Sequence, residues 1–65
     1  MGTFEIYKDN NDRFRWEFRE NNGKVIAESA ESYSSRVLCL STIHLVKIES
    51  ITASVTDQTL RPTAA

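Results

Sequence analysis

The sequence is short of the residues that small proteins use to staple themselves together or to perform chemistry. Among 65 residues there is one cysteine, Cys39, and one histidine, His44. A lone cysteine excludes an internal disulfide. One cysteine with one histidine falls short of the four ligands of a structural zinc site. An unpaired thiol fits a reducing compartment. The glycines are Gly2 and Gly23 alone, so no glycine-rich loop exists to cradle a phosphate. Net charge is nearly absent as well. Eight basic residues against nine acidic ones leave a formal −1, which supplies no field to gather nucleic acid or a membrane surface. No apolar run approaches the ~20 residues of a membrane span. No basic region followed by an apolar stretch opens the chain, so no signal peptide is expected. Ile6 stands where a myristoylation signal wants Ser or Thr. These absences predict a cytoplasmic chain with no cofactor, no metal and no membrane partner.

What is present begins with an alternation. Phe14, Trp16 and Phe18 are separated by Arg15 and Glu17 and flanked by Arg13 and Arg19. Period-two spacing of this kind describes a strand with one dry and one wet face. In so short a chain those rings must anchor the core, because full burial of each contributes on the order of 1.5–3 kcal/mol. A domain of this size buries only about 60% of its unfolded surface and is marginal alone. With no disulfide or metal to help, association with a second copy is the expected remedy.

Thr3–Lys8 reads as a first strand, with Phe4 and Ile6 on one face. Asp9–Asp12 is a turn of residues that tolerate left-handed backbone, and Arg13–Arg19 is the second strand. Glu20–Gly23 is another turn, in which Asn22-Gly23 is a strong hairpin signal because both residues accept positive φ. Lys24–Glu28 is the third strand; its buried side is ambiguous, because Val25 and Ala27 share one face and Ile26 takes the other. Ser34 or Ser35 is suited to cap a helix running from about Ser35 to Ser50. Cys39, Ile43 and Val46, with Leu40 beside them, form one apolar stripe. Val37, Leu38, Leu45 and Ile48 form a second on another side, so this helix is expected to touch more than its own sheet. Ile51, Ala53 and Val55 alternate with polar residues and predict a fourth strand. Residues 1–57 thus make one domain, and residues 58–65, with Pro62, a flexible tail.

In combination these segments resemble the YegP-like family of small domains of unknown function. The resemblance rests on Phe4-Glu5-Ile6-Tyr7-Lys8-Asp9, Phe14-Arg15-Trp16, Asn22-Gly23 with Ile26-Ala27 and Ser29, Tyr33-Ser34-Ser35-Arg36, Ile43, Val46-Lys47 and Ala53-Ser54-Val55-Thr56-Asp57. It covers nearly the whole chain apart from the tail. It departs at the first turn, where the family usually has glycine and this chain has Asp12. It departs again in the helix, where Leu40 and Ser41 stand at often-small positions. The resemblance implies an α+β fold: an antiparallel sheet in a β-β-β-α-β unit, the helix on one face, and the last strand exchanged in a homodimer. On that expectation Phe14, Trp16, Phe18, Leu40, Ile43, Val46, Ile51 and Val55 form the core and dimer contacts. The resemblance implies no reaction.

The residues themselves offer little chemistry. On a helix, Cys39 and His44 lie about 140° apart, out of reach of a nucleophile–base pair; Cys39 reads as a buried hydrophobe and His44 as a solvated position. Glu28 and Glu31 are paired carboxylates that read as solvated charge near a helix start. The wet face of strand two is the one candidate binding surface. Arg13, Arg15 and Arg19, with Tyr7 nearby, could contact single-stranded nucleic acid by stacking and phosphate pairing, while Glu5 and Glu17 offset that charge. The expectation is therefore not an enzyme but a homodimeric interaction module binding an unidentified protein or small ligand, with weak nucleic-acid binding as the alternative.

Overall fold

Two hairpins of the same construction organise the sheet. In the computed structural model, which describes residues 2–60, strand β1 (Thr3–Lys8) and strand β2 (Phe14–Arg19) pair antiparallel, Thr3 opposite Arg19 and Lys8 opposite Phe14. Their turn closes by the Asp12 amide donating to the Asp9 carbonyl (3.0 Å) and the Asp9 amide to the Arg13 carbonyl (2.9 Å). The Asp9 carboxylate accepts from the Asn11 and Arg13 amides as well. Asp12 takes the left-handed backbone, φ 62°, which short polar side chains tolerate better than others. The second turn repeats the scheme: the Gly23 amide donates to the Glu20 carbonyl and the Glu20 amide to the Lys24 carbonyl, both at 2.9 Å. Only Gly23 has positive φ there, at 87°. The turn expected at Glu20–Gly23 is thus a three-residue loop ending in a left-handed residue, a form that adds a bulge. A register shift sits at Phe18/Arg19, as that form requires.

Strand β3 is Val25–Glu28, with Ala27 opposite Phe18 and Glu28 opposite Glu17. Ala27 therefore takes the face of the rings and Ile26 points outward, more than half exposed. The chain continues along β2 beyond β3. Ser29, which is buried, donates its amide to the Trp16 carbonyl (2.8 Å) and accepts the Trp16 amide on its hydroxyl (3.3 Å). Tyr33 and Phe14 exchange both backbone bonds at 2.8 Å. Central β2 is thereby paired on both sides, whereas the outer edge of β1 has no partner among the described residues.

Helix α1 spans Arg36–Thr52 and is capped by Ser35, whose hydroxyl accepts the Leu38 amide at 3.2 Å. Cys39 and Ile43 are buried against Trp16, with Phe4, Ile6, Phe14, Phe18, Tyr33 and Val46 packed around them. Phe4 meets Trp16 edge-on, ring centroids 5.3 Å apart, and Phe18 at 4.7 Å. The helix lies over β1 and β2 but not β3.

The sequence places Ile51 in a fourth strand; the structure corrects this. Ile51 and Thr52 are the last residues of α1, and residues 53–57 join no strand. The helix has no glycine or proline to stop it, and each added turn supplies its own backbone bonds, whereas a strand gains them only from a neighbour. Leu40, Ile51 and Val55 are likewise absent from the core of the single chain; Ile51 is 81% and Val55 93% exposed. Of the expected tail, Gln58–Leu60 form a turn of 3-10 helix, and residues 61–65 lie outside those described.

Candidate functional site

The wet face of the sheet carries the arginines singled out in the sequence, but each guanidinium is already held. Register places Tyr7 opposite Arg15, and Glu5, Glu17 and Glu28 in one row across all three strands. Like charges directly opposite each other repel, and Arg19 relieves this by pairing with Glu17 at 2.6 Å and Glu5 at 3.4 Å. Arg19 also donates to the Gly23 carbonyl at 2.6 Å. Arg15 donates through Nε to Asp9 Oδ2 at 2.9 Å; that bond, reinforced by the Arg13 amide, holds the Asp9 carboxyl below the usual carboxylate range and raises Arg15. Arg13 turns away to the 29–33 connection, donating to the Ser32 hydroxyl (2.8 Å) and carbonyl (3.2 Å). The structure brings Arg15, Arg19 and Tyr7 onto one face and sends Arg13 to its edge. Ion pairing among the face's own groups uses most of its positive charge.

Cys39 and His44 are not brought together. The thiol is fully buried and its pKa is pushed up by that burial, whereas His44 is exposed. Among the described residues no three His, Cys, Asp or Glu side chains converge in a metal-binding group. No described helix is long and apolar enough to cross a membrane.

The most exposed large apolar side chains among the described residues lie on the helix and the segment that follows it. At about 100° per residue, Val37, Leu38, Leu45 and Ile48 point away from the Cys39–Ile43–Val46 stripe, and all four are more than half exposed. Two grooves fix the direction of the helix. One, of about 440 Å³, places Arg36 among Ile6, Lys8 and Phe14; the other, of about 330 Å³, places Val46, Lys47 and Ser50 beside Phe18 and Ala27. The helix therefore starts at the Lys8/Phe14 end of the sheet and runs toward the Thr3/Arg19 end, opposite to β1. Seventeen residues extend about 25 Å and the six of β1 about 20 Å, so the helix overshoots. Ala53 then leaves it with extended backbone (φ −66°, ψ 139°). The result is an arm, and the molecule measures 48 × 26 × 22 Å with a radius of gyration of 15.2 Å. A compact chain of this length has about 11 Å.

The first groove also contains a feature the sequence reading missed. Lys8 lies over the Phe14 ring, 5.2 Å from its centroid, and reaches Asp12 at 3.2 Å. Arg36, at the first position of the helix, has no ion pair among the described residues, and no acidic residue follows in the first turn. The period-two row Phe4–Ile6–Lys8 was the available signal for Lys8. Nothing local pointed to Arg36 as its neighbour.

A family model for a domain of unknown function, DUF1508, matches residues 9–57. The chain is 43% identical over 56 residues to a UPF0339 protein of Treponema denticola, covering 86% of this chain and 95% of that protein. The NMR solution structure of a protein from Haloferax volcanii is similar at a TM-score of 0.80 and 32% identity, over 86% of this chain and 93% of that one. A second solution structure, from Agrobacterium tumefaciens, is similar at 0.70 and 30% identity, over 91% and 94%. Both likenesses support the three-stranded antiparallel sheet with one helix.

Proposed function

The chain belongs to the DUF1508 family, whose function is unknown, and from that premise we propose that it is a small non-catalytic interaction module, built as a homodimer whose protomers exchange their C-terminal arms. The observation that carries this reading is the arm itself. Residues 53–57 alternate Ala, Ser, Val, Thr, Asp, a pattern suited to a half-buried strand, yet they join no strand among the described residues, and Asp57 bonds only to Thr59 and Leu60 just after it. The outer edge of β1 has no strand beside it among the described residues, and its outward-pointing backbone groups are a ready template for another strand. The second apolar side of the helix adds surface that a partner would cover. An isologous pairing satisfies both protomers with one contact used twice.

Light scattering at micromolar concentration tests the proposal. The expected mass is twice the 7.4 kDa of the chain. Val55→Pro, which removes a ladder amide from the middle of the arm, is expected to give single chains with their helix intact. A wild-type protein that stays monomeric, or a Val55→Pro variant that still dimerises, would sink the arm-exchange reading.

Binding of single-stranded nucleic acid on the arginine face has weaker support, because Arg15 and Arg19 are paired with carboxylates and Arg13 with Ser32. Titration with labelled single-stranded DNA and RNA at low salt addresses it directly. Binding lost on changing Arg15 and Arg19 to Ala would favour that reading.

A further inference from the structure

We propose that the groove between the second half of the helix and the Thr3/Arg19 end of the sheet is a binding site for a small aryl carboxylate. Register sets its floor. Phe4, Phe18 and Ala27 stand opposite one another across β1, β2 and β3, with Trp16 two residues along β2. The other wall is Val46, Lys47 and Ser50 of α1, and the space between is about 330 Å³. It exists because the helix packs on β1 and β2 but not on β3, and because β3 contributes only a methyl group to the row. Phe4, Phe18 and Val46 are half-buried and Ala27 is exposed, so aromatic surface is left open there.

Small-molecule sites are lined mostly by apolar and aromatic groups, with a few polar ones that fix orientation. This groove has that composition. Phe4 meets Trp16 edge-on and Phe18 at a tilt, and a flat aromatic occupant gains ring–ring contact beyond the area it buries. The volume is near the lower end of the ~300–1,000 Å³ of such sites, room for one fused ring system with a short substituent. Lys47 sets the charge of that substituent. It is the one ionisable residue in the lining, and it makes no ion pair among the described residues. Beside it the Ser50 hydroxyl donates to the Lys47 carbonyl at 3.4 Å, a bond long enough to be given up for a better acceptor. Trp16, in the same lining, carries at Nε1 the one buried side-chain polar atom without a partner among the described residues, and an acceptor oxygen is what that donor lacks. One cation with two neutral donors suits a carboxylate better than a doubly charged phosphate. None of these residues belongs to the 53–57 segment, so the site rests on the interaction-module reading and not on arm exchange.

Nitrogen-15 NMR titration of the full chain with 2-naphthoate tests the site, with neutral 2-naphthamide for comparison. Trp16 is the sole tryptophan, so its indole N–H gives a single signal from the groove. Saturable shifts of that signal and of the Ala27 and Lys47 amides are expected, with a Kd of about 1 mM or tighter. The neutral amide is expected to bind about threefold or more weakly. The same loss is expected for the acid with Lys47→Met, which keeps most of the stem and removes the charge. Ala27→Leu, which fills the groove from β3, is expected to abolish the shifts. Both positions are exposed, so the circular dichroism of each variant should match wild type. Shifts that fail to saturate, or an Ala27→Leu variant that binds as well as wild type, overturn the site. Equal binding of acid and amide, or a Lys47→Met variant that holds the acid unchanged, overturns the carboxylate assignment. Light scattering on the same samples reads arm exchange separately: a dimer that ignores naphthoate overturns the site alone, and a monomer that binds it supports the site while removing the dimer.

Discussion

Replacing Trp16 by alanine and, separately, by phenylalanine distinguishes two contributions that oppose each other at the centre of the protein. Trp16 is 6% exposed and meets the edge of Phe4 on one side and Cys39 and Ile43 of the helix on the other. Truncation to alanine removes nearly the whole ring system and is expected to cost about 3–5 kcal/mol. A domain of this length has about 3–10 kcal/mol in total at ordinary stability per residue, so Trp16→Ala is expected to be largely unfolded. The indole Nε1, however, is buried with no acceptor, and such a group carries a penalty of about 1–3 kcal/mol. Trp16→Phe keeps an aromatic ring on Phe4 and deletes that N–H. The loss from the smaller ring and the relief of the unpaired donor nearly cancel, and the expected change is within about 1.5 kcal/mol of zero. Urea unfolding followed by far-ultraviolet circular dichroism measures both variants; Trp16 is the sole tryptophan, so its fluorescence cannot serve. Chain concentration must be held constant, since association shifts apparent stability. A phenylalanine variant as damaged as the alanine one would refute the opposing-terms argument.

Two further substitutions probe the first turn. Asp12→Gly places the residue best suited to φ 62° at that position, at the loss of one exposed ion pair with Lys8. A gain of up to about 1 kcal/mol is expected in the urea midpoint, and a loss would show that the side chain holds the turn. Asp9→Asn keeps an oxygen for the Asn11 and Arg13 amides but removes the charge facing Arg15. Because the folded protein lowers the Asp9 pKa, the wild type's advantage should be complete above the ordinary aspartate value of about 3.9 and fade as pH falls through the lower folded value. Thermal midpoints across that window check the sign; an advantage that grows with acid would contradict it.

Much of the molecule was readable because its determinants are local. The rings at 14, 16 and 18 defined β2 and its dry face, and a serine cap at 34 or 35 with the Cys39–Ile43–Val46 spacing defined the helix and the side it buries. The identity of the wet face followed from the same alternation. What alternation does not report is who stands opposite: that Glu5, Glu17 and Glu28 form one row, that Arg15 answers Asp9, and that Arg13 leaves the face for Ser32, all follow from register. The second turn was legible at Glu20–Gly23, but its form, a three-residue loop with positive φ at Gly23 alone, follows from how the strands close on it. From sequence Ser29 reads as part of a plain connection, since nothing in a serine's neighbours announces that its hydroxyl will serve a strand thirteen residues away.

Ile51–Val55 marks the boundary between the two kinds of information. The sequence determined that this stretch has two sides, apolar and polar, because that depends only on the order of residues. Tertiary structure decided where it could be a strand at all. A helix completes its hydrogen bonds within itself and so continued through Thr52, while a strand must find a free edge, and residues 53–57 join none among the described residues.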